Sequence, residues 1–163
     1  MEAALRSAAV GDLEAINTIY NHYVMHSTCT WQEAPSTAAE RLAWWSERAG
    51  RYPVLVAEAK SEVVGFAALG PHRLRSGYRF TAESTVYLHP DWRGRGIGRQ
   101  LMTDLLEAGR AAGFHTVVAG ICTEHAESIR LHAGLGFVEC GRLREGGFKF
   151  GRWLDSVMMQ KML

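Results

Sequence analysis

The amino-acid sequence predicts an α/β fold, in which helices flank one mixed and twisted sheet. Segments with apolar residues at helical spacing alternate with short strand-like runs along the 163 residues. Three strand-like runs follow one another in the middle of the chain, whereas helices separate the later ones. Successive strands tend to pair as hairpins, and strands joined by a helix tend to pair in parallel, so one sheet of both kinds is expected. The length and the 47% apolar content favour a single globular domain over residues 1–163.

The first part of the chain is predicted to hold one strand and two helices with clear ends. Asp12 is a candidate N-cap for the first helix. Thr37 and Glu40 form a capping-box pattern at the start of the second helix, and Gly50 is its expected stop. These elements are a strand at 3–9, a helix at 11–27 and a helix at 37–50.

The remaining elements complete the order β-α-α-β-β-β-α-β-α-β-β. The segment "GIGRQLMTDLLEAGRAAG" has a strong amphipathic pattern and ends at a glycine, which is typical of a surface helix packed on a sheet. The predicted elements are strands at 53–59, 62–70 and 78–89, a helix at 96–113, a strand at 114–122, a helix at 126–136, and strands at 137–145 and 152–163.

Charge and cysteine content exclude several classes of protein. The net charge of +1 gives no field that favours nucleic acid or a membrane surface, so neither is expected as a partner. The three cysteines are widely spaced and contain no Cys-x-x-Cys pair, which favours a reducing cytoplasm. His22 and His26 lie one helical turn apart, but no carboxylate completes a metal site, and no metal is expected. No signal-peptide or membrane-span pattern is found.

A glycine-rich turn, "RGRGIGRQL", lies between a predicted strand and a predicted helix. The dinucleotide fingerprint fails because Arg99 occupies its third glycine position, and the Gly-Lys-Ser/Thr of an ATP P-loop is absent. The remaining pattern, Arg-x-x-Gly-x-Gly, is met by Arg93, Gly96 and Gly98. In that pattern, backbone N–H groups at a helix start surround a pyrophosphate, and arginines add charge-assisted contacts. The alternative is a surface turn with solvated arginines.

Four segments together resemble the GNAT superfamily of acyl-CoA-dependent N-acyltransferases, and most of all its phosphinothricin/methionine sulfoximine acetyltransferase branch. They are "GPHRLRSGYRFTAESTVYLHP", "RGRGIGRQLM", "SIRLHAGLGF" and "GFKFGRWLDSVMMQ". The resemblance covers effectively the whole chain, because the order of elements also matches. It implies a GNAT-like acyl-CoA N-acyltransferase fold, acetyl-CoA as co-substrate and a homodimer. Apolar residues of the last strand, such as Val157 and Met159, are candidates for the dimer contact.

The resemblance also implies which residues hold the co-substrate. Backbone groups of Val86 and Leu88 pair with the pantetheine arm as if it were an added strand. The turn at 94–99 holds the pyrophosphate, and His125 stands where many relatives have an asparagine. The alternative for His125 is an exposed residue at a helix start. The predicted cofactor-binding residues are Val86, Tyr87, Leu88, Arg93, Gly94, Arg95, Gly96, Ile97, Gly98, Arg99, His125 and Ser128.

Glu83 and His132 are the candidate catalytic residues. Glu83 lies among β-branched and aromatic residues, where a carboxylate costs free energy unless it is paired or functional. The alternative is a glutamate on the solvated face of an edge strand. The resemblance implies that Glu83 is the general base, acting through water, and that His132 is a proton donor or relay. A packed helix histidine is the alternative for His132. Direct transfer in a ternary complex is expected, because no activated cysteine is evident.

The acceptor is predicted to be a small amino acid or analogue such as methionine sulfoximine, methionine sulfone or phosphinothricin. Arg73 and Arg75 can lie on one side of an extended segment and clamp a small anion, or else form a solvated basic loop. Further substrate-binding candidates are Tyr78, Glu33 and Lys149, the last of which is otherwise a surface ion. Peptide N-termini and polyamines are alternative acceptors, although arginines disfavour a polyamine. The remaining alternative is a non-catalytic acyl-CoA-binding sensor, against which Glu83 argues.

Overall fold

The computed structural model describes residues 3–163, which form four α-helices and a seven-stranded sheet. The helices are α1 (Leu13–His26), α2 (Ala38–Arg48), α3 (Ile97–Ala111) and α4 (Ala126–Gly134). The strands are β1 (Ala4–Ser7), β2 (Val54–Ala59), β3 (Glu62–Pro71), β4 (Thr81–Leu88), β5 (Thr116–Cys122), β6 (Val138–Lys149) and β7 (Arg152–Met162). The predicted order of helices and strands is confirmed.

The sheet is mixed, as predicted, with the strand order β1-β2-β3-β4-β5-β7-β6. Neighbouring strands are antiparallel except β4 and β5, which are joined by α3 and run in parallel. Two boundaries differ from the prediction by more than two residues. β4 begins at Thr81 because Ser76–Tyr78 forms a short 3-10 helix. β6 extends to Lys149 because it closes a tight hairpin at Phe150 and Gly151, which both have positive φ.

The feature that shapes the site is the short pairing between β4 and β5. Their register contains three residue pairs, the last of which joins Glu83 to Val118. Beyond that pair, β4 continues to Leu88 and β5 continues to Cys122, so the two strands diverge. A gap therefore opens in the middle of the sheet, at the carboxyl ends of its two parallel strands.

Two hydrophobic cores pack on opposite faces of this sheet. On one face, Leu101 and Leu105 of α3 pack against alternate residues of the central strands, such as Leu69. On the other face, Ile16 of α1 packs against the intervening residues, such as Phe66. Because β2 and β3 are covered on both faces, they are nearly continuous apolar runs rather than alternating ones.

The two predicted helix caps have different outcomes. The Thr37–Glu40 capping box is confirmed, since each side chain accepts the backbone N–H of the other residue, at 3.2 Å and 2.7 Å. The prediction that the Asp12 side chain caps α1 is wrong. Its carboxylate instead accepts the Ala9 N–H at 2.7 Å and two N–H groups of Arg6 at 2.7 and 2.9 Å. Asp12 therefore joins β1 to the 3-10 turn that precedes the helix.

The residues of the last strand that the sequence suggested for a dimer contact, Val157 and Met159, do not lie on the surface. Val157 and Met159 are 1% and 3% exposed, because they face the main core. The exposed apolar side chains of the two last strands are others, including Val138, Leu143 and Trp153. A contact with a second copy through this part of the sheet would therefore involve those residues.

No helix within residues 3–163 combines the length and the apolar character needed to span a membrane. The three cysteines, Cys29, Cys122 and Cys140, are free thiols.

Candidate active site

The gap between β4 and β5 forms a cleft of about 230 Å³. It lies at the start of α3 and is closed on one side by α4, which follows β5. Residues from five elements line it, namely Tyr23 of α1, residues 84–88 of β4, Gly98 of α3, residues 119–122 of β5, and Ser128, Leu131 and His132 of α4. The predicted strand residues Val86, Tyr87 and Leu88 are thus brought together with His125, Ser128 and His132.

Within residues 3–163, backbone groups of β4 face this cleft without a strand partner. The His89 N–H donates to Val64 O of β3 at 2.8 Å. Because successive residues of an antiparallel strand alternate in the neighbour they face, Val86 and Leu88 direct their N–H and C=O groups toward β5. There the strands have already diverged, and the Leu88 carbonyl instead accepts a hydrogen bond from the Tyr23 hydroxyl. The edge of Val86 is therefore free to pair with an extended polar ligand.

The glycine-rich turn places a helix start at one end of the cleft. Gly96 is the N-cap of α3 with φ +80°, and Gly94 has φ +73°, conformations that favour glycine. The first intrahelical bond of α3 runs from Gln100 N to Gly96 O. The N–H groups before Gln100 therefore have no acceptor within the helix, and they add to the positive end of its dipole. This arrangement suits a phosphate group.

Gly98 needs a different explanation from its two neighbours. It lies inside the helix without a positive φ, and a methyl group added there would meet Leu88 Cδ1 at 3.6 Å and Leu131 Cδ2 at 3.8 Å. Those are ordinary van der Waals distances, so the fold itself does not require glycine at this position. The absence of a side chain keeps the cleft open beside the helix start, as a closely bound pyrophosphate would need.

The three arginines of the turn have different positions. Arg93 lines the cleft, and its guanidinium lies 3.6 Å from Glu127 Oε1. Arg95 instead donates to the backbone of the preceding 3-10 turn and packs over the Trp92 ring at 4.6 Å. Arg99 donates to Gly134 O at the end of α4, at 3.3 Å. Of these three cations, Arg93 is therefore the one that faces the cleft.

His132 is buried in the wall of the cleft, with 4% of its surface exposed. Its Nδ1 lies 2.8 Å from Ser128 O, and because a carbonyl can only accept, Nδ1 carries the proton of this bond. Burial lowers the pKa of His132, although the bond to Ser128 opposes this effect. The ring is therefore neutral near pH 7, with Nε2 as a hydrogen-bond acceptor.

His125 stands at the start of α4 and is held by polar contacts. Its Nε2 lies 2.9 Å from Thr28 Oγ1, which also donates to Glu124 at 2.8 Å. Cys122, Glu124 and His125 place one potential metal-ligand atom each within 4.8 Å of the others. However, Glu124 is also paired with Arg152, which lowers its pKa to about 2. These contacts form a hydrogen-bonded network that connects α4 to the loop after α1.

Glu83 lies in a second cavity, of about 710 Å³, on the α1–α2 face of the sheet. The two cavities share five wall residues, so they meet across the gap in the sheet; these are Cys29, Ser84, Thr85, Tyr87 and Gly120. The Glu83 side chain is 44% exposed, and its Oε2 lies 3.2 Å from His72 Nδ1. The expected burial of Glu83 among apolar neighbours is therefore wrong, because its side chain points into this open cavity.

The predicted acceptor residues are only partly brought together. Arg73 and Arg75 are exposed and do not line either cavity, and the Arg73 guanidinium packs over Tyr78 at 5.4 Å. The Tyr78 ring contacts the His72 ring edge to face, with 5.6 Å between their centres, and His72 in turn contacts Glu83; the loop between β3 and β4 is thereby linked to Glu83. Glu33 is exposed beside Gln32 and Ala34, which do line the second cavity.

Lys149 is not the surface ion that one interpretation of the sequence expected. It is 1% exposed, and its Nζ donates to Ser27 O and Thr30 O at 2.7 Å each. Burial lowers its pKa. Lys149 thus anchors the loop after α1, and this loop forms part of both cavity walls.

Two residues of the second cavity region were missed in the sequence. His72 contacts Glu83, and Arg41 of α2 lines the cavity although it is only 4% exposed. Arg41 falls on one helix face with Trp44 and Arg48, at spacings of three and seven residues. That spacing is the signal that could have identified a buried arginine on an otherwise polar-looking helix.

Comparisons with known proteins agree with this geometry. Residues 16–137 match the model of the acetyltransferase (GNAT) family. An L-methionine sulfoximine/L-methionine sulfone acetyltransferase from Pseudomonas paraeruginosa is 46% identical over 162 residues, covering 98% of this chain and 94% of that protein.

Two solved structures are similar over nearly their whole length. A phosphinothricin acetyltransferase from Sinorhizobium meliloti in complex with acetyl-CoA has a TM-score of 0.96 and 40% identity, covering 100% of this chain and 89% of that one. A ribosomal-protein-alanine N-acetyltransferase from Brucella melitensis has a TM-score of 0.94 and 43% identity, covering 98% and 99%.

Proposed function

Because the chain belongs to the acetyltransferase (GNAT) family, we propose that its acceptor is a small amino acid or analogue such as methionine sulfoximine, methionine sulfone or phosphinothricin. The chain is an acetyl-CoA-dependent N-acetyltransferase with the GNAT fold, as its sequence predicted. The observation that carries the proposal is the meeting of two cavities across the gap in the sheet, one suited to acetyl-CoA and one containing Glu83.

The residues of the first cleft fit acetyl-CoA. The free edge of Val86 offers backbone N–H and C=O groups to a pantetheine arm, and the start of α3 offers N–H groups to a pyrophosphate. Arg93 adds a cation, and Gly98 leaves room for close approach. Acetyl-CoA supplies a thioester whose carbonyl carbon is open to attack by an amine.

Glu83 is the proposed general base for the acceptor nitrogen. An ammonium group must lose a proton before its lone pair can attack, and a carboxylate can take that proton directly or through water. With 44% of its side chain exposed to the cavity, Glu83 is accessible to water, which supports a water-mediated transfer. His72 holds one carboxylate oxygen at 3.2 Å and so fixes the orientation of the base.

His132 is proposed as a proton relay at the other end of the reaction. Its Nδ1 proton is held by Ser128 O, so Nε2 is left as the hydrogen-bond acceptor of a ring that lines the cleft. Donation from Nε2 would first require protonation, which burial disfavours. We therefore propose that His132 Nε2 takes up, only transiently, the proton that the attacking nitrogen releases, and gives that same proton to the leaving thiolate, so that the ring returns to its neutral form.

Three further expectations belong to this proposal. We propose a homodimer, for which the exposed apolar residues of β6 and β7 are available. Free amino acids as acceptors and three free cysteines are in keeping with a cytoplasmic enzyme. Neither nucleic acid nor a membrane is proposed as a partner, since the net charge is +1.

A second candidate acceptor is the amino terminus of a peptide. It is favoured by the likeness to the structure named ribosomal-protein-alanine N-acetyltransferase, which is 43% identical. A peptide beginning with alanine therefore belongs among the acceptors that are compared.

The experiment is a measurement of free-thiol release from acetyl-CoA. The acceptors are methionine sulfone, methionine sulfoximine, phosphinothricin, an alanine-initiated peptide and spermidine, each over a range of concentrations. We expect the highest kcat/KM with one of the three amino-acid analogues. Higher kcat/KM with the peptide or spermidine contradicts the proposed acceptor class. Binding of acetyl-CoA without thiol release from any amine favours a non-catalytic sensor.

A further inference from the structure

Arg41 is a buried arginine whose charge has no carboxylate partner within residues 3–163. It is 4% exposed, and the ion pairs of the described chain do not include it. The neighbouring Glu40 carboxylate is occupied by the Thr37 N–H in the capping box. Burial lowers the pKa of Arg41. A guanidinium that is largely removed from water is costly unless an anion or several acceptors satisfy it, and Arg41 keeps only the contact with water that its place in the wall of the second cavity allows.

The contacts of Arg41 fix its orientation but leave most of its donors unused. Its Nε donates to Asn17 Oδ1 at 3.0 Å, and its guanidinium carbon lies 4.7 Å from the ring centres of both Tyr20 and Trp44. In the described part of the chain, no side-chain or backbone acceptor bonds its two terminal nitrogens. Two aromatic rings and one amide therefore hold a guanidinium plane in place, as in sites that bind anions.

The unused donors belong to the cavity that holds Glu83. That cavity is lined by Arg41, by the two rings that hold it (Tyr20 and Trp44), and by Glu83 of β4. A terminal guanidinium edge presents two parallel N–H groups, which match the two oxygens of a carboxylate. The cavity thus combines a site for a carboxylate with a base for an amine, the two groups that an α-amino acid carries.

We propose that Arg41 binds the carboxylate of the acceptor amino acid and so selects free amino acids over peptides and amides. This inference deepens the proposed function and rests on it for the identity of the acceptor. It also changes the predicted location of the anion clamp, since Arg73 and Arg75 are exposed and line neither cavity. A peptide amino terminus has no adjacent carboxylate, so Arg41 would remain unsatisfied in such a complex.

The test compares L-methionine sulfone with its primary amide, which keeps the amine but removes the negative charge. Binding of each to the protein–CoA complex is measured by isothermal titration calorimetry, which requires no turnover. We expect the wild-type protein to prefer the carboxylate by roughly 10- to 100-fold, as is usual for a charge-assisted pair. Arg41→Gln should reduce this preference to about 1, mainly by weakening the carboxylate form, with CoA affinity unchanged.

Arg48→Gln is the matched control, because Arg48 packs on the same Trp44 ring at 4.2 Å but does not line the cavity. It should keep the wild-type preference. If Arg41→Gln does not fold, Arg41→Lys is used instead. It keeps the positive charge but loses the bidentate contact, so its preference for the carboxylate over the amide should fall clearly, though less than in Arg41→Gln. Circular dichroism and CoA binding report folding in each variant.

Three results would overturn the proposal. These are a wild-type protein with no preference for the carboxylate, an Arg41 variant that keeps the preference, and an Arg41 variant that weakens both ligands equally. Loss of the preference in Arg75→Ala but not in Arg41→Gln would assign the clamp to Arg75. Binding with the expected preference but without acetylation would instead refute the proposed function and leave the role of Arg41 intact.

Discussion

Substituting Gly98 by alanine should stabilise the protein and weaken its binding of acetyl-CoA. The added methyl group would lie 3.6 Å from Leu88 Cδ1 and 3.8 Å from Leu131 Cδ2, so the fold can accept it without strain. Replacing glycine in a helix with alanine stabilises by up to about 1 kcal/mol. For a domain of this size, that corresponds to an increase in Tm of about 2–4 °C.

The same methyl group would occupy the space beside the helix start that we propose for acetyl-CoA. Forcing an extra methyl into a filled site costs about 1–3 kcal/mol. In binding, this corresponds to a Kd that is about 5- to 150-fold higher. The two effects have opposite signs, so a general loss of folding cannot imitate the expected result.

Thermal unfolding of the ligand-free protein and calorimetric titration with acetyl-CoA measure the two effects separately. Gly109→Ala in the same helix is a suitable control, because its methyl group would lie 2.8 Å from Leu69 Cδ1 in the core. That variant should lower Tm without a comparable change in Kd. An unchanged Kd in Gly98→Ala would refute the assignment of the cleft to the co-substrate.

Three more predictions concern Glu83, the contact between Asp12 and Arg6, and the buried Lys149. Glu83→Gln should lower kcat by about 10²- to 10⁴-fold near pH 7 with the Kd of acetyl-CoA unchanged, as followed by thiol release and calorimetry; equal losses in both would make Glu83 structural. Asp12→Asn should destabilise at pH 7 by about 1–3 kcal/mol. Arg6 lowers the pKa of Asp12 in the folded protein below its ordinary value of 3.8. The difference in unfolding free energy between the wild type and Asp12→Asn should therefore be largest above pH 3.8, and it should shrink as the pH falls through the pKa of folded Asp12. Urea unfolding from pH 7 to pH 3 checks it, and a constant difference would contradict the account. Lys149→Met should lower Tm by leaving the Ser27 and Thr30 carbonyls without a donor, while the preference for a carboxylate acceptor persists; a lost preference would instead place Lys149 at the acceptor.

Most of the fold could be predicted because its signals are local. The Thr37–Glu40 box, the amphipathic pattern of α3 and the apolar runs of β2 and β3 each depend on neighbouring residues, and each is confirmed. Asp12 occupies the predicted N-cap position of α1, but its side chain does not cap the helix because Arg6 of β1 and the Ala9 N–H take up the carboxylate. Sequence spacing alone does not reveal such a partner.

The cofactor side of the site was more predictable than the acceptor side. The Arg-x-x-Gly-x-Gly turn is contiguous, so its position at a strand–helix junction could be read from the sequence. The second cavity, which we propose for the acceptor, draws Arg41 from α2, Glu83 from β4 and Tyr20 from α1, which are separated in the chain. Arg41 was missed because arginine on a helix is usually solvated, and its burial follows from tertiary contacts with Tyr20 and Trp44.

A crystal structure of Glu83→Gln with acetyl-CoA and L-methionine sulfone would test the central claim most directly, because a slow variant can retain both substrates. We predict the pantetheine arm between β4 and β5, the acceptor in the second cavity, its nitrogen on the side of residue 83 and its carboxylate at Arg41. Acetyl-CoA bound outside the gap between these strands, or an acceptor bound outside the cavity that Arg41 lines, would contradict the account.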